Sequence, residues 1–481
     1  MSEPELCVTV TGATTEALRR ARETAEADAD LVELRLDFVS RPDAAAALEG
    51  RRKPVIVTCR PVREGGRFAG AESERLGILR DAFARGAELV DVEWDADSVE
   101  LIRARRGRGV IVSRHLFEKS SADPGELMRG LRASGAEVAK LALTVDSISD
   151  LTRLAQTATL DPPSIVIGMG DAGIATRVLA GRFHSRWTYA GDEVAPGQMS
   201  AARLLQEFRF RRVRSDAAVY GVLGRPVSRS LSPAMHNAGF AALGLNAVYV
   251  PFDTGDLHGL RDVASSLNIR GFSVTIPFKQ TVMKALDDVA PSAGAAGAVN
   301  TIAIRDGRWI GMNTDAEGFL EPLQRRNVPL RGARAVILGA GGAARAAAVA
   351  LRAQGARVAM SARRPAAGDE AAQAIGVESC PGPPPPGSWD LLINATPVGS
   401  RGTPGLPIDQ PLDGQLVYDL VYDPDPTELI RRAEESGCQV IGGLDMLIAQ
   451  AERQFEIWTG QRPPNGLFAA AARRAQEWRH T

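Results

Sequence analysis

Long apolar runs and net charge are both missing from this 481-residue chain. No uncharged apolar stretch reaches about 18 residues, which excludes a helix able to cross a membrane. Its 57 basic and 58 acidic residues give a formal net charge of −1, too little for a nucleic-acid or anionic membrane surface. The first residues lack the basic start and apolar stretch of a signal peptide. We therefore expect a cytoplasmic protein whose partners are small molecules.

Cysteine is scarce as well. The four cysteines lie far apart and show no CxxC spacing, at Cys7, Cys59, Cys380 and Cys438. A chain this long does not need disulfides to fold, and this spacing is not that of a zinc site. We expect packing thiols and no bound metal.

Lysine is the scarcest charged residue, since only five of the 57 basic residues are lysines. Arginine keeps its proton in a protein, whereas a buried lysine can become a neutral amine and act as nucleophile or base. Only Lys140 and Lys279 lie in apolar, strand-like segments. These two are candidates for chemistry, although an ordinary surface lysine is the commoner case. Polar sequence surrounds the other three, Lys53, Lys119 and Lys284.

The composition is that of a globular protein, with 44% hydrophobic and 24% charged residues. Short apolar runs alternate with helix-like segments through the first 200 residues or so, and eight of these unit repeats predict a (β/α)8 TIM barrel. The predicted strands are Leu6–Val10, Leu31–Leu36, Val55–Cys59, Leu89–Glu93, Gly109–Val112, Val138–Leu143, Ser164–Met169 and Arg186–Tyr189. In such barrels the chemistry lies at the carboxyl ends of the strands.

A second α/β region begins near Ser215, after a basic run. Residues 334–351 read RAVILGAGGAARAAAVAL, a strand, a glycine-rich turn and an alanine-rich helix, which is typical of a dinucleotide-binding unit. The next strand is followed by Arg363 and Arg364 in place of the acidic residue that would hold an NAD ribose. These arginines favour NADP, with two solvated surface arginines as the alternative.

Ionisable residues collect at the predicted barrel strand ends. Lys140 shares one strand face with Val138 and Ala142, and burial there would favour a neutral amine able to form a Schiff base with a ketone. A lysine reaching solvent from a strand end explains Lys140 alone equally well. The other strand ends favour a site, because they carry Glu33, Arg35, Arg60, Glu64, His115, Arg177 and Gln198.

These residues make the first 210 positions resemble the type I 3-dehydroquinate dehydratases. The resemblance implies that Lys140 forms an imine with the substrate ketone, that His115 moves the proton, and that Glu64 holds His115. It also implies substrate binding by Glu33, Arg35, Arg60, Arg177 and Gln198. Val194 and Leu116 depart from the Ser and Asp that are usual in that family.

The second half, residues 218 to 470, resembles shikimate dehydrogenase. The resemblance rests on GRPVSRSLSPAMHN (224–237), GFSVTIPFK (271–279), GAVNT (297–301), GMNTDAEG (311–318), NATPVG (394–399), DLVY (419–422) and GLDMLIAQ (443–450). It implies that Lys279 and Asp315 form the acid–base pair at the reduced ketone. The implied substrate contacts are Ser230, Ser232, Thr275, Asn300, Tyr422 and Gln450. The implied NADP(H) contacts are Gly339, Ala340, Gly341, Gly342, Ala343, Ala362, Arg363, Arg364, Thr396, Leu420 and Gly443.

Three positions depart from the usual dehydrogenase pattern. Asp445 stands where Gly is common, and Ala362 stands where Asn is usual. Both concern the cofactor, so they bear on the NADP prediction more than on the reaction. Ser273, where many members have Asn, lies within ordinary variation.

Together the resemblances imply a bifunctional enzyme that dehydrates 3-dehydroquinate to 3-dehydroshikimate and then reduces it to shikimate with NADPH. The predicted domains are a barrel (1–212), a substrate lobe (218–320), a Rossmann lobe (321–445) and C-terminal helices (446–481). Three alternatives stay open: quinate as the second substrate, a quinate- or shikimate-sensing regulator with decayed catalysis, and an active second half alone. Family analogy further suggests a homodimer.

Overall fold

The computed structural model describes residues 3–94, 98–157, 163–191 and 194–480. Its first sheet contains eight parallel strands in the order β7-β6-β5-β4-β3-β2-β1-β8. These strands are β1 (Glu5–Val10), β2 (Leu31–Arg35), β3 (Val55–Thr58), β4 (Leu89–Glu93), β5 (Val110–Leu116), β6 (Val138–Thr144), β7 (Ser164–Met169) and β8 (Trp187–Ala190). A parallel bridge between Ser164 and Ser185 joins the two ends of the sheet. The predicted barrel is confirmed.

Helices follow the strands of this barrel. They are α1 (Thr15–Ala25), α2 (Ala44–Leu48), α3 (Glu72–Ala84), α4 (Ser98–Arg105), α5 (Pro124–Ala133), α6 (Ile148–Thr157) and α7 (Ile174–Val178). Helix α1 begins where Thr14 Oγ1 accepts the N–H of Ala17, and Leu18 is buried on its inner face. At α5, Asp123 accepts the N–H of Glu126 and Pro124 opens the first turn.

Strand β5 is longer than predicted. The residues Ser113–Leu116 stay in the ladder, with Ser113 opposite Lys140 and His115 opposite Ala142. The prediction ends the strand at Val112 and places Ser113, Arg114 and His115 at its carboxyl end. These residues remain extended because β6 pairs with them, so His115 lies within the strand.

The barrel interior is filled by alternate residues of the strands. Val138 and Ala142 belong to the buried cluster inside the barrel, together with Ile111, Ile165 and Trp187. Lys140 lies between Val138 and Ala142 on the same strand face, because side chains two apart share a face. The lysine therefore points into the barrel.

A second, mixed sheet has the order β10-β9-β11-β13-β14-β12. Its strands are β9 (Ala218–Gly224), β10 (Ala247–Asp253), β11 (Ile269–Val274), β12 (Asp288–Val289), β13 (Thr301–Arg305) and β14 (Arg308–Met312). The accompanying helices are α8 (Ser232–Ala242), α9 (Leu260–Ser266), α10 (Pro291–Ala296) and α11 (Asp315–Arg325).

The third sheet is parallel and has the order β17-β16-β15-β18-β19-β20. Its strands are β15 (Arg334–Leu338), β16 (Arg357–Ser361), β17 (Glu378–Ser379), β18 (Leu391–Asn394), β19 (Leu416–Asp419) and β20 (Gln439–Ile441). Its helices are α12 (Gly342–Ala353), α13 (Pro365–Ile375), α14 (Glu428–Glu435), α15 (Gly443–Thr459) and α16 (Leu467–His480). This is the doubly wound dinucleotide-binding order, whose direction reverses between β15 and β18. The predicted Rossmann lobe is confirmed.

The chain divides into two compact units. One contains Met1–Pro233 with Gly244–Ile269, and the other contains Ala234–Leu243 with Arg270–Thr481. Among the described helices, none is long and apolar enough to cross a membrane.

Candidate active sites

One cavity opens at the carboxyl ends of the barrel strands. All eight residues predicted for this half line it, namely Glu33, Arg35, Arg60, Glu64, His115, Lys140, Arg177 and Gln198. Thr9, Phe117, Met169, Tyr189 and Val194 also line it. The fold therefore gathers residues that are far apart in sequence around one buried lysine.

Lys140 is held by two carboxylates and an aromatic ring. Its side chain is only 5% exposed, and Nζ lies 2.9 Å from Asp91 Oδ2 and 3.9 Å from Glu33 Oε1. The ring centre of Tyr189 lies 4.1 Å from the same nitrogen. The amine is thus fixed inside the cavity and shielded from bulk water.

Asp91 is a site residue that sequence reasoning left out of the predicted set. It bonds Arg60 at 3.0 Å and accepts the Ser113 hydroxyl at 2.6 Å. Burial would raise the pKa of Asp91, but the charges of Arg60 and Lys140 outweigh burial and hold it well below its usual range. The available signal was the period of two in β4, which puts Asp91 and Glu93 on one face.

His115 and Glu64 form a pair at the cavity wall. Glu64 Oε2 lies 3.1 Å from His115 Nδ1 and accepts the backbone N–H of His115 at 3.2 Å. Burial, together with the charges of Arg60 and Lys140, lowers the pKa of His115 well below its usual value. Burial raises the pKa of Glu64 to about 7. The imidazole is therefore uncharged at neutral pH and able to accept a proton.

Arg177 has hydrogen-bond donors that the described residues do not fully use. Its Nε is buried without a hydrogen-bond partner among the described residues, and its other two nitrogens reach the carbonyls of Tyr189 and Pro196 at 3.4 and 3.3 Å. Burial lowers the pKa of Arg177 to about 10, so the side chain is still charged at neutral pH. Arg35, by contrast, bonds both oxygens of Asp37, at 2.9 and 2.8 Å. Arg177 is therefore the lining arginine best placed for an incoming carboxylate.

Gln198 and Glu33 meet through Thr9. The Gln198 amide donates to Thr9 Oγ1 at 3.3 Å, and Thr9 Oγ1 donates to Glu33 at 2.7 Å. Val194 contributes only an apolar side chain to this part of the wall.

In the second unit, Lys279 and Asp315 form a direct pair. Lys279 Nζ lies 2.5 Å from Asp315 Oδ2. The Asn300 amide donates to Asp315 Oδ1 at 2.7 Å and to Gln450 Oε1 at 3.3 Å. Asp315 Oδ1 is thus bound by an amide donor while Oδ2 binds the lysine. Four of the predicted residues are brought together here.

Two further residues in this network were missed. Gln454 donates to the carbonyl of Asn300 and to Thr301 Oγ1, both at 3.0 Å, and accepts the Ser273 hydroxyl at 2.7 Å. Thr314 Oγ1 accepts from Asn300 at 2.9 Å. Gln454 lies one helical turn after Gln450, a spacing from which it could have been predicted. The bond to Gln454 also gives Ser273 a structural role.

Four predicted substrate contacts lie outside the hydrogen bonds described for Lys279 and Asp315. Ser230 Oγ accepts the N–H of Ser232 at 3.2 Å, at the start of α8. Thr275 is half-buried before Lys279, and the carbonyl of Tyr422 accepts from Gln476 at 3.2 Å. Their part in substrate binding stays a prediction.

The glycine-rich turn after β15 fits a dinucleotide. Gly339 has φ +124°, and a β-carbon there would lie 2.9 Å from the carbonyl oxygen of Ala395, so this position requires glycine. Helix α12 then begins at Gly342, which directs free N–H groups at the place a pyrophosphate would take. Gly443 packs directly against the backbone of Leu420, and both belong to the predicted cofactor set.

The arginines that favoured NADP are exposed at the end of β16. Arg363 and Arg364 follow Ser361 and the half-buried Ala362. The sequence has no acidic residue directly after β16, where residues 362–366 read ARRPA, so no carboxylate of this segment would repel a 2′-phosphate. Asp445 of α15 stands where glycine is common in the family. It forms a 2.8 Å ion pair with Arg326, and this contact explains Asp445 locally.

The fold and the two sites define an enzyme with two active centres, a lyase in a barrel and a dinucleotide-dependent oxidoreductase. Residues 6–215 match the family described as type I 3-dehydroquinase. Residues 222–302 match the shikimate dehydrogenase substrate binding domain, and residues 443–473 match the shikimate 5′-dehydrogenase C-terminal domain.

A relative from Arabidopsis thaliana, the chloroplastic bifunctional 3-dehydroquinate dehydratase/shikimate dehydrogenase, is 34% identical over 92% of this chain and 80% of its own. The chain belongs to this bifunctional family. It is a lyase and an oxidoreductase of the shikimate pathway. No comparison supports the quinate or regulator alternatives.

Two further comparisons concern the second half alone. Shikimate dehydrogenase (NADP(+)) of Moorella thermoacetica is 41% identical over 55% of this chain and 95% of its own. A crystal structure of a shikimate dehydrogenase in complex with NADP+ is 36% identical, with a TM-score of 0.51, over 55% of this chain and 96% of the other.

Proposed function

We propose that Lys140 carries out the dehydration and that Arg177 anchors the substrate carboxylate. The observation that carries this proposal is the buried Lys140 in a cavity that also holds a proton acceptor and an arginine with spare donors. Lys140 gives up one proton and its nitrogen attacks the ketone of 3-dehydroquinate; the proton returns to the hydroxyl of the resulting carbinolamine, which leaves as water and gives an iminium ion.

His115 then moves the proton. Its ring nitrogen not engaged by Glu64 takes a proton from the carbon next to the iminium, and the electron pair forms an enamine. The enamine expels the hydroxyl, which leaves as water with the proton from His115. Hydrolysis of the remaining imine releases 3-dehydroshikimate and restores Lys140. Glu64 holds the ring in place for both transfers.

The remaining cavity residues hold the substrate. Glu33 and Gln198, linked through Thr9, suit the ring hydroxyls, since one supplies acceptors and the other an amide. Arg35 and Arg60 are bound to neighbouring carboxylates, which supports an indirect role for them in shaping the cavity.

We further propose that Lys279 and Asp315 perform the proton transfer of the reduction. When bound, NADPH would supply a hydride to the ketone of 3-dehydroshikimate. Lys279 gives the proton that the developing alkoxide needs, and Asp315 orients the ammonium and is itself oriented by Asn300. Ser230, Ser232, Thr275, Tyr422 and Gln450 complete the proposed shikimate site.

The glycine-rich turn and the end of β16 would hold the cofactor. The backbone of Gly339 to Ala343 would bind the pyrophosphate, and Arg363 and Arg364 would bind the 2′-phosphate. Ala362, Thr396, Leu420 and Gly443 are proposed to form the rest of this site. The domain limits 1–212, 218–320, 321–445 and 446–481 are also a proposal, which limited proteolysis tests.

A coupled assay tests both halves together. Purified protein receives 3-dehydroquinate and NADPH, and the absorbance of the enone and of NADPH is followed, while a parallel sample receives borohydride. We expect NADPH to be consumed only after 3-dehydroquinate is added, and a mass adduct on Lys140. If 3-dehydroshikimate is reduced but no enone or adduct forms, the barrel proposal is wrong, and Val194→Ser becomes the first variant to make.

The proposal of a homodimer rests on family analogy, and that of a cytoplasmic location rests on the composition of the sequence. Light scattering after size exclusion tests the first, and cell fractionation tests the second.

A further inference from the structure

The space next to Gly342 is occupied by the side chain of Lys279. A β-carbon added to Gly342 would lie 2.9 Å from Cδ and 3.2 Å from Cβ of Lys279, and 3.4 Å from Cβ of Ala298. Carbon atoms in contact prefer separations of about 3.5–4.0 Å. Any side chain at position 342 therefore has to displace the stem of the lysine.

The dinucleotide turn does not itself account for this glycine. In the pattern G-x-G-x-x-G/A the constrained positions are Gly339, Gly341 and Ala344, so Gly342 stands at an unconstrained position. Its φ is not in the left-handed region, and it is the first residue of the alanine-rich helix α12. Alanine would suit the helix better than glycine. The helix itself therefore does not call for a glycine at position 342.

Lys279 is fixed at three points along its length. Its carbonyl accepts the N–H of Val299 at 2.7 Å, and its Nζ reaches Asp315 at 2.5 Å. Between these ends the stem lies against Gly342. Ala298, which lies beside this contact, is buried in a small apolar cluster with Ala296 and Ala346.

We propose that Gly342 is a positioning residue for Lys279. The missing side chain leaves a groove at the start of α12 in which the lysine stem lies, so that Nζ stays on Asp315 beside the turn that holds the cofactor. This inference rests on the proposed role of Lys279 in the reduction.

The test is Gly342→Ala in the full chain. The substitution keeps the backbone N–H that would face the pyrophosphate, but it moves the lysine stem. A displacement of about 1 Å can cost roughly a hundredfold in rate, so we expect kcat for 3-dehydroshikimate reduction to fall about tenfold to a hundredfold. KM for NADPH should change less than about threefold. The deuterium isotope effect on kcat, measured with nicotinamide-deuterated NADPH, should rise because chemistry becomes rate-limiting.

Two glycine variants and one internal activity serve as controls. Gly294 is an exposed glycine of α10, and outside its own helix backbone and chain neighbours no atom of the described residues lies within 4 Å of an added β-carbon. Gly294→Ala should therefore leave kcat unchanged. Gly341→Ala alters the same turn away from the lysine and should raise KM for NADPH more than it lowers kcat. The dehydratase activity of each variant should equal that of the parent.

The possible outcomes distinguish a failure of this inference from a failure of the proposed function. If the parent reduces 3-dehydroshikimate and Gly342→Ala keeps kcat within about twofold, the inference is wrong and the proposed function stands. A rise in KM for NADPH alone, or an equal loss of both activities, also overturns it. A parent that does not reduce 3-dehydroshikimate overturns the proposed function first.

Discussion

Two carboxyl groups of the barrel cavity show how strongly a residue depends on its contacts. Asp91 and Glu64 are both buried. Arg60 and Lys140 hold the pKa of Asp91 well below its usual range, whereas burial raises the pKa of Glu64 to about 7. One carboxyl is thus a permanent anion beside the lysine, while the other can change its charge near neutral pH beside His115. Residue type alone does not distinguish the two.

The unpaired donor of Arg177 predicts the effect of replacing this single residue. Replacing Arg177 with Gln removes a charged donor whose Nε has no partner among the described residues. A hydrogen bond to a charged group contributes about 1.5–3 kcal/mol, so kcat/KM for 3-dehydroquinate should fall roughly tenfold to a hundredfold, mostly through KM. Steady-state kinetics of enone formation checks this. Arg80→Gln, which breaks an exposed pair with Glu100, is the control, and an equal effect of both variants would refute the assignment.

Where a helix or strand begins and ends depends on the elements that pack against it. Strand β5 extends through His115 because β6 pairs with it. The residue types after Val112 do not by themselves indicate that the strand continues. Helix α8 shows the same dependence, since His236 is fully buried among rings of α15 and α16, with centroid distances of 6.2 Å to Phe455, 5.2 Å to Trp458 and 5.3 Å to Phe468.

The burial of His236 predicts a loss of stability in acid. Burial lowers its pKa from 6.5 to about 3. Between these values the unfolded chain binds a proton that the folded chain does not, so stability falls as pH drops below 6.5, by about 1.4 kcal/mol per pH unit at most. His236→Phe should remove this slope. Urea unfolding followed by the dehydrogenase activity at pH 5 and 7 measures it.

An exposed histidine supplies the control for this experiment. His258→Gln changes an exposed histidine of the first unit, so an effect shared with His236→Phe would come from the loss of a histidine as such. Should the parent and His236→Phe lose stability equally between pH 7 and 5, another group is responsible.

The ion pair of Asp445 predicts how a substitution in helix α15 affects stability. Its exposed pair with Arg326 ties the first turn of α15 to the end of α11. Exposed pairs contribute about 0–1 kcal/mol, so Asp445→Ala should lower the free energy of unfolding by less than about 1 kcal/mol. KM for NADPH should stay the same. A large rise in KM would instead place Asp445 at the cofactor.

For the whole molecule, the two lysines proposed to react belong to different compact units, Lys140 to the first and Lys279 to the second. Each unit thus holds one of the two proposed active sites. The fusion keeps the two activities in equal amounts in one chain and raises the local concentration of the shared intermediate.

Complementation tests whether that intermediate leaves the first site. Lys140→Met should abolish dehydration and keep reduction, and Lys279→Met should do the reverse, because neither neighbour can replace the amine. An equimolar mixture should convert 3-dehydroquinate to shikimate again, as followed by NADPH consumption. If Lys279→Met forms the enone only in an amount equal to the enzyme and the mixture stays inactive, the intermediate is not released from the first site.

The amino-acid sequence determined the strand–helix alternation, the glycine-rich turn and the two lysines in apolar strands, because periodicity and residue chemistry are local. Only the tertiary structure decided that Asp91 binds Lys140, that Gln454 supports Asn300, and that the stem of Lys279 fills the space beside Gly342. The physical reason is that these contacts join segments tens to more than a hundred residues apart. Their partners are set by the register of the sheets and the packing of the helices.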